Sequence, residues 1–100
     1  MPAVTRIGDA DVTHCSGMVR AQGSGNVFCN GIPISRQGDI NSVHLFPNPS
    51  PPPACLPHTA PITSGSSTVK VNGLGCGRVG DALTACTSVA AGSGNVFAGG

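Results

Sequence analysis

Apolar and polar residues alternate over three short stretches of the chain: Val27-Phe28-Cys29, Val69-Lys70-Val71 and Val96-Phe97-Ala98. A period of two places successive side chains on opposite faces of a strand. Lys70 marks the outward face, so the pattern predicts Val27, Cys29, Val69, Val71, Val96 and Ala98 pointing inward. Asn30-Gly31 and Asn72-Gly73 follow the first two stretches. Asn-Gly is a strong two-residue hairpin signal, because both central residues take positive φ. The chain therefore reads as short β-hairpins, with nine short strands or fewer in three similar layers.

The stretches belong to a longer repeat. Gly23–Asp39 and Gly65–Asp81 are two complete units of the form G-S-x-x-V-x-x-N-G-x-x-x-x-R-x-G-D. The N-terminus supplies only the second half of such a unit, ending at Arg6-Ile7-Gly8-Asp9. The C-terminus, Gly92–Gly100, supplies only the first half. Closing the chain on itself would join them into a third unit, which predicts a pseudo-threefold ring. After each arginine, the Gly-Asp pair reads as a second turn, with the carboxylate bonding nearby backbone N–H groups. Arg6, Arg36 and Arg78 then pair within their own repeats rather than forming a recognition patch.

One segment breaks the symmetry. A Pro-rich insertion at about 45–61 contains Pro51-Pro52-Pro53 and reads as extended polyproline, neither helix nor inner strand.

Composition changes the picture in one respect. One hundred residues make one domain, yet the chain has no Trp, no Tyr and only 3 Phe, so its apolar core is thin. Such a domain needs a staple from disulfides, a metal or a partner. Glu is absent and helix formers are scarce, which reinforces the strand-and-turn reading. A net charge of +1 with no basic run gives nucleic-acid binding no electrostatic support. No apolar stretch is long enough to span a membrane, and the N-terminus lacks a signal-peptide core. Synthesis in the cytoplasm without a signal peptide is expected.

The staple is legible in the repeat. Five residues beyond each aspartate of Arg-x-Gly-Asp stand His14, His44 and Cys86. Three positions related by a threefold axis converge on one spot near it. His58, from the insertion, approaches the following Gly65 much as Cys86 approaches Gly92, and would complete a tetrahedron. Three imidazoles and one thiolate suit structural zinc, one per chain, and iron accepts a similar set. Two cysteines compete for these roles. Cys55 forms Cys55-x-x-His58, a spacing that also binds zinc, and Cys15 adjoins His14; a Cys15–Cys55 disulfide is the remaining alternative for that pair. Cys29 and Cys76 occupy repeat positions filled elsewhere by Val71, Ala98 and Ile34, and read as small core residues.

Together these features resemble the PAAR-repeat family, which caps the spikes of bacterial type VI secretion systems and contractile phage tails. The resemblance rests on G-S-x-x-V-x-x-N-G at 23–31 and 65–73, on "PISRQGD" at 33–39, on its degenerate partner "GCGRVGD" at 75–81, and on the terminal "GSGNVF". The family's Pro-Ala-Ala-Arg signature stands here as Pro33-Ile34-Ser35-Arg36 and Gly75-Cys76-Gly77-Arg78, without proline at 75. The resemblance implies an all-β, cone-shaped pseudo-threefold array of short β-hairpins closed by zinc near its apex, with His14, His44, His58 and Cys86 as ligands. It also implies a partner: a trimeric β-helical spike, the valine–glycine repeat protein or its phage equivalent, with one tip per trimer. Effectors riding with the tip and transient contact with a target membrane belong to the same implication. The repeat begins by residue 6 and ends at Gly100, so a stand-alone tip, a single domain over 1–100 without an effector extension, is expected. It would be delivered outward on a contractile apparatus or carried in a virion.

A tip of this kind performs no turnover, so the chain is not expected to be an enzyme. The alternatives are a free-standing zinc-binding adaptor and a small zinc hydrolase. Cys86 would fill the hydrolase's open metal position, and no Glu is available as a general base.

Overall fold

The three Arg-x-Gly-Asp fragments fold into turns with the same hydrogen bonds. In each, the Asp N–H donates to the carbonyl of the Arg three residues earlier: Asp9 to Arg6 at 3.0 Å, Asp39 to Arg36 at 2.9 Å, Asp81 to Arg78 at 3.1 Å. The glycine between them has φ of 91°, 87° and 91° at Gly8, Gly38 and Gly80, the signature of a type II turn. One carboxylate oxygen accepts from the Arg backbone N–H and its Nε, and the other from NH2. Each arginine is thereby folded back onto its own turn, as the repeat predicts.

The computed structural model describes residues 1–13, 17–48, 54–84 and 86–99. Among them there is no helix. The strands are β1 (Phe28–Cys29), β2 (Ile32–Pro33), β3 (His44–Asn48), β4 (Ala54–His58), β5 (Lys70–Val71) and β6 (Leu74–Gly75), paired as three antiparallel hairpins. Asn30 and Asn72, with φ of 55° and 54°, and the glycines after them close β1–β2 and β5–β6 in the expected left-handed conformation. The third repeat is assembled from both ends of the chain. Ala3 bridges Phe97, and the Val4 N–H donates to the Val96 carbonyl, as Ile34 donates to Val27 and Cys76 to Val69.

The opening Gly-Ser of each unit has a contact reason. A Cβ on Gly23, Gly65 or Gly92 would meet the carbonyl oxygen of Ile34, Cys76 or Val4 at 2.7, 2.5 and 2.6 Å. The following serine N–H bonds that same carbonyl. Its hydroxyl accepts the N–H groups two and three residues on.

At the centre, the three repeats meet in a closed triangle of backbone bonds. Thr5 donates to Gly77, Gly77 to Ser35 and Ser35 to Thr5, at 3.0, 3.0 and 3.1 Å. Thr5 and Ser35 are fully buried. Further out, each repeat clasps the next. Arg36 NH1 and Ser24 Oγ donate to Asn72 Oδ1, Arg6 NH1 and Ser93 Oγ to Asn30 Oδ1. In the third copy glycine replaces the turn asparagine, and the Gly99 carbonyl takes the place of the amide oxygen, accepting from Arg78 NH1 and Ser66 Oγ. Asn72→Gly keeps the turn and deletes the clasp, so a loss of about 1–2 kcal/mol is expected from net hydrogen-bond values. Asn72→Ala should cost roughly 1 kcal/mol more, because alanine resists positive φ. Denaturant titration of the two variants checks that order.

Among the described residues, two apolar clusters fill the interior. Val4, Cys29, Ile34, Val71, Cys76 and Ala98 form the first, inside the hairpins. Ala60, Ile62, Leu83 and Val89 form the second. Cys29 and Cys76 are thus the buried core thiols the repeat predicts. The inward assignment needs correction at two of its valines. Cys29, Val71 and Ala98 are buried and Val27 is partly so, but Val69 and Val96 are 40% and 37% exposed. The N–H of each of the three valines is held by the hydroxyl of the preceding serine turn, and that shared bond does not explain the difference. The whole is elongated, 43 × 23 × 21 Å.

Pairing in the insertion goes beyond the sequence reading. β3 and β4 form its longest hairpin, with His44 opposite His58, Leu45 opposite Pro57 and Pro47 opposite Cys55. A two-stranded sheet is all edge, which is where proline is tolerated. Pro51, Pro52 and Pro53 lie outside the described residues.

Candidate metal centre

The first residue pair of β3–β4 brings two of the expected ligands together. His44 begins β3 and His58 ends β4, directly opposite in register. Their rings meet edge to face, with centroids 4.4 Å apart and planes at 66°. Cys86 arrives from the segment after the third Arg-x-Gly-Asp turn. Its N–H donates to the Leu83 carbonyl at 3.1 Å, and its side chain packs against the second core cluster. The Cys86 sulfur lies 3.5 Å from His44 Nε2 and 3.6 Å from His58 Nε2. One ligand atom from each of the three residues falls within 4.8 Å of the others. His44 is buried, and the other two are half-buried.

These distances can be tested against a metal. Metal–sulfur and metal–nitrogen bonds of about 2.3 and 2.05 Å in a tetrahedron separate S from N by about 3.6 Å. Both sulfur–nitrogen distances in the cluster fit that value. The second contact of His44 fits as well. Its Nδ1 lies 2.8 Å from the Ser42 carbonyl, an acceptor that requires the proton on Nδ1 and leaves the Nε2 lone pair facing Cys86. A backbone carbonyl fixing the ring of a ligating histidine in this way is usual in metal sites. The His44, His58 and Cys86 group can therefore hold a metal ion.

His14, the remaining residue of the expected set, lies outside the described residues, as does Cys15. Cys55 sits on β4 opposite Pro47, three residues before His58.

Beside the cluster is a feature the sequence reading missed. Arg20 and Asp11 form an ion pair at 3.0 Å with both side chains fully enclosed. Asn41, also buried, donates to the same Asp11 oxygen at 3.1 Å. Burial pushes the Asp11 carboxyl above the usual carboxylate range and the Arg20 guanidinium below its usual value; their mutual attraction only partly opposes this. The hint in the sequence was Asp11 itself, which stands two residues after a turn aspartate, where the third repeat has Leu83.

Compared with known proteins, the chain matches no family model and no curated sequence. The fold and its site define an all-β, pseudo-threefold hairpin protein with a His-His-Cys cluster able to bind a metal.

Proposed function

We propose that the chain is a structural spike tip of the PAAR-repeat kind, seated on the end of a trimeric β-helical spike and stapled by zinc. The observation that carries this reading is the closure of one chain into three equivalent repeats. A single chain with threefold backbone symmetry can offer the same surface to each strand of a trimer, as few asymmetric small domains can. Several apolar side chains of the hairpins are exposed and available for that contact: Phe28, Val69, Leu74, Val96 and Phe97. Phe28 and Phe97 stand at equivalent positions, with Lys70 in the third. Seating on the trimer would also cover strand edges that are short and open.

Zinc is the metal of choice for the cluster, because imidazole and thiolate ligands at tetrahedral spacing suit it best. His14, at the repeat position of His44 and Cys86, is the proposed fourth ligand. A closed four-ligand site leaves no position for substrate or water, so the metal's role is structural. It ties the hairpin of the insertion to the third repeat, where the apolar core is small.

Mixing the purified chain with a trimeric β-helical spike from the same source and weighing the product by native mass spectrometry tests the reading. One tip per three spike chains is expected. Phe28→Asp should weaken the complex at least tenfold while leaving the melting temperature within a few degrees, since Phe28 is 54% exposed. A chain that stays monomeric beside an intact trimer favours the free-standing adaptor instead.

A further inference from the structure

Six buried positions beneath the metal cluster are related by the repeat. Three stand two residues after the turn aspartates: Asp11, Asn41 and Leu83. Three more accept the N–H of a turn glycine through their carbonyls: Arg20 from Gly8, Ile62 from Gly38 and Val89 from Gly80. The two sets pair across the seams between repeats as Arg20 with Asn41, Ile62 with Leu83 and Asp11 with Val89. Ile62, Leu83 and Val89 are apolar and build the core on which Cys86 rests. The other three are a guanidinium, a carboxylate and an amide, all essentially without solvent exposure.

Leucine, isoleucine and valine fill the same slots elsewhere in the ring, so packing alone does not require polar groups here. Stability does not favour them either. A buried ionic triad commonly contributes less than well-packed apolar residues of similar volume, and desolvation outweighs attraction for both charged members. What the triad adds is directed bonds. Asn41 Oδ1 accepts the Ala60 N–H at 2.8 Å and the Asn41 N–H donates to the Ala60 carbonyl at 3.2 Å. Asn41 lies three residues before His44, and Ala60 two residues after His58. Arg20 NH2 reaches the Asp39 carbonyl at 2.7 Å, while NH1 holds Asp11, which in turn holds Asn41. One network thus grips the backbone on both sides of the histidine pair. Asp11 Oδ1 and Arg20 Nε have no hydrogen-bond partner among the described residues.

We propose that Arg20, Asp11 and Asn41 are positioning residues of the metal centre, holding the His44 and His58 segments at ligand spacing before the metal arrives. The inference rests on the metal reading above. Outer-shell partners of metal ligands typically change affinity 10- to 100-fold when removed.

The test replaces the triad with residues found at its symmetry mates: Asp11→Leu, Arg20→Ile and Asn41→Leu together. Zn²⁺ affinity is measured by chelator competition, and the ligand field by the visible spectrum of the Co²⁺-loaded chain. A 10- to 100-fold loss of Zn²⁺ affinity with shifted Co²⁺ bands at saturating metal is expected. Ile62→Val, in the apolar seam, serves as control and should leave the saturated spectrum unchanged, because lost stability alone lowers affinity without altering a filled site. Arg20→Lys keeps the charge but cannot bridge Asp11 and the Asp39 carbonyl with two nitrogens, and it decides the matter if the triple variant fails to fold. Affinities within twofold of the parent and superposable Co²⁺ spectra overturn the proposal. A parent chain that takes up neither metal overturns the metal reading and this inference with it, a result distinct from metal-loaded variants that behave like the parent.

Discussion

Replacing His44 by Ala should empty the metal site and lower the melting temperature by about 15–30 °C, the equivalent of roughly 3–5 kcal/mol in a domain of this size. Structural zinc supplies about 10–16 kcal/mol of apparent binding free energy at neutral pH. Small domains have net stabilities of only about 5–15 kcal/mol. Even a partial loss of the metal's contribution is therefore large. His44 is the sensitive position because it is buried, pairs with His58 at the mouth of β3–β4, and faces Cys86 at 3.5 Å. Chelator sharpens the test. In excess chelator the parent should fall to nearly the variant's melting temperature, leaving only the cost of the missing imidazole. Elemental analysis of the purified parent should give about one zinc per chain. A melting temperature unchanged by His44→Ala removes His44 from the ligand set, and a folded, metal-free parent removes the metal itself.

The second large effect is expected at Gly77. Its backbone conformation is ordinary, but there is no room beside it. A Cβ would lie 2.5 Å from the Ser35 carbonyl oxygen and 2.9 Å from both Ile62 Cδ1 and Thr5 Cγ2. Two of these neighbours belong to the central triangle, and the nearest is backbone, which cannot swing aside. Overpacking a well-filled interior costs about 1–3 kcal/mol and sometimes more. Gly77→Ala should reach the upper end, about 3 kcal/mol, because relief requires breaking the Gly77-to-Ser35 bond. Gly94→Ala is the matched control, since nothing lies within 4 Å of its Cβ position. It should be neutral or slightly stabilising through the unfolded chain. Equal midpoints in urea for the two variants would show that the axis is not closely packed.

The deepest features of this fold were legible because they are repeated at fixed offsets. Each Arg-x-Gly-Asp turn, each Gly-Ser opening and the two Asn-Gly hairpins carry their own local chemistry, so three copies read alike. Thr5, Ser35 and Gly77 stand at equivalent positions around the central triangle; the first two carry side chains, whereas Gly77 has no room for a Cβ. His44 and Cys86 were found from their shared offset, and His58 by analogy with Cys86. Elsewhere that logic ran out. Val69 and Val96 follow the strand pattern in sequence but stand exposed in space. The β3–β4 hairpin has no repeat partner, and its prolines mask the alternation that marks a strand. The Arg20–Asp11–Asn41 network stayed hidden because the path from turn aspartate to the partner position differs in every copy: Asp9 to Arg20, Asp39 to Ile62, Asp81 to Val89. Their equivalence exists only in the hydrogen bonds.

The clasps between repeats have a consequence for how the molecule comes apart. In a linear array of three repeats there are two junctions, and an end unit can peel away by breaking one of them. Here the Val4–Val96 and Ala3–Phe97 pairing closes the third repeat on itself, and the Arg6–Asn30, Arg36–Asn72 and Arg78–Gly99 clasps give three junctions instead of two. Any unit that melts must release two neighbours at once. The ring is therefore expected to unfold as one transition, with a force applied to any one repeat shared by the other two.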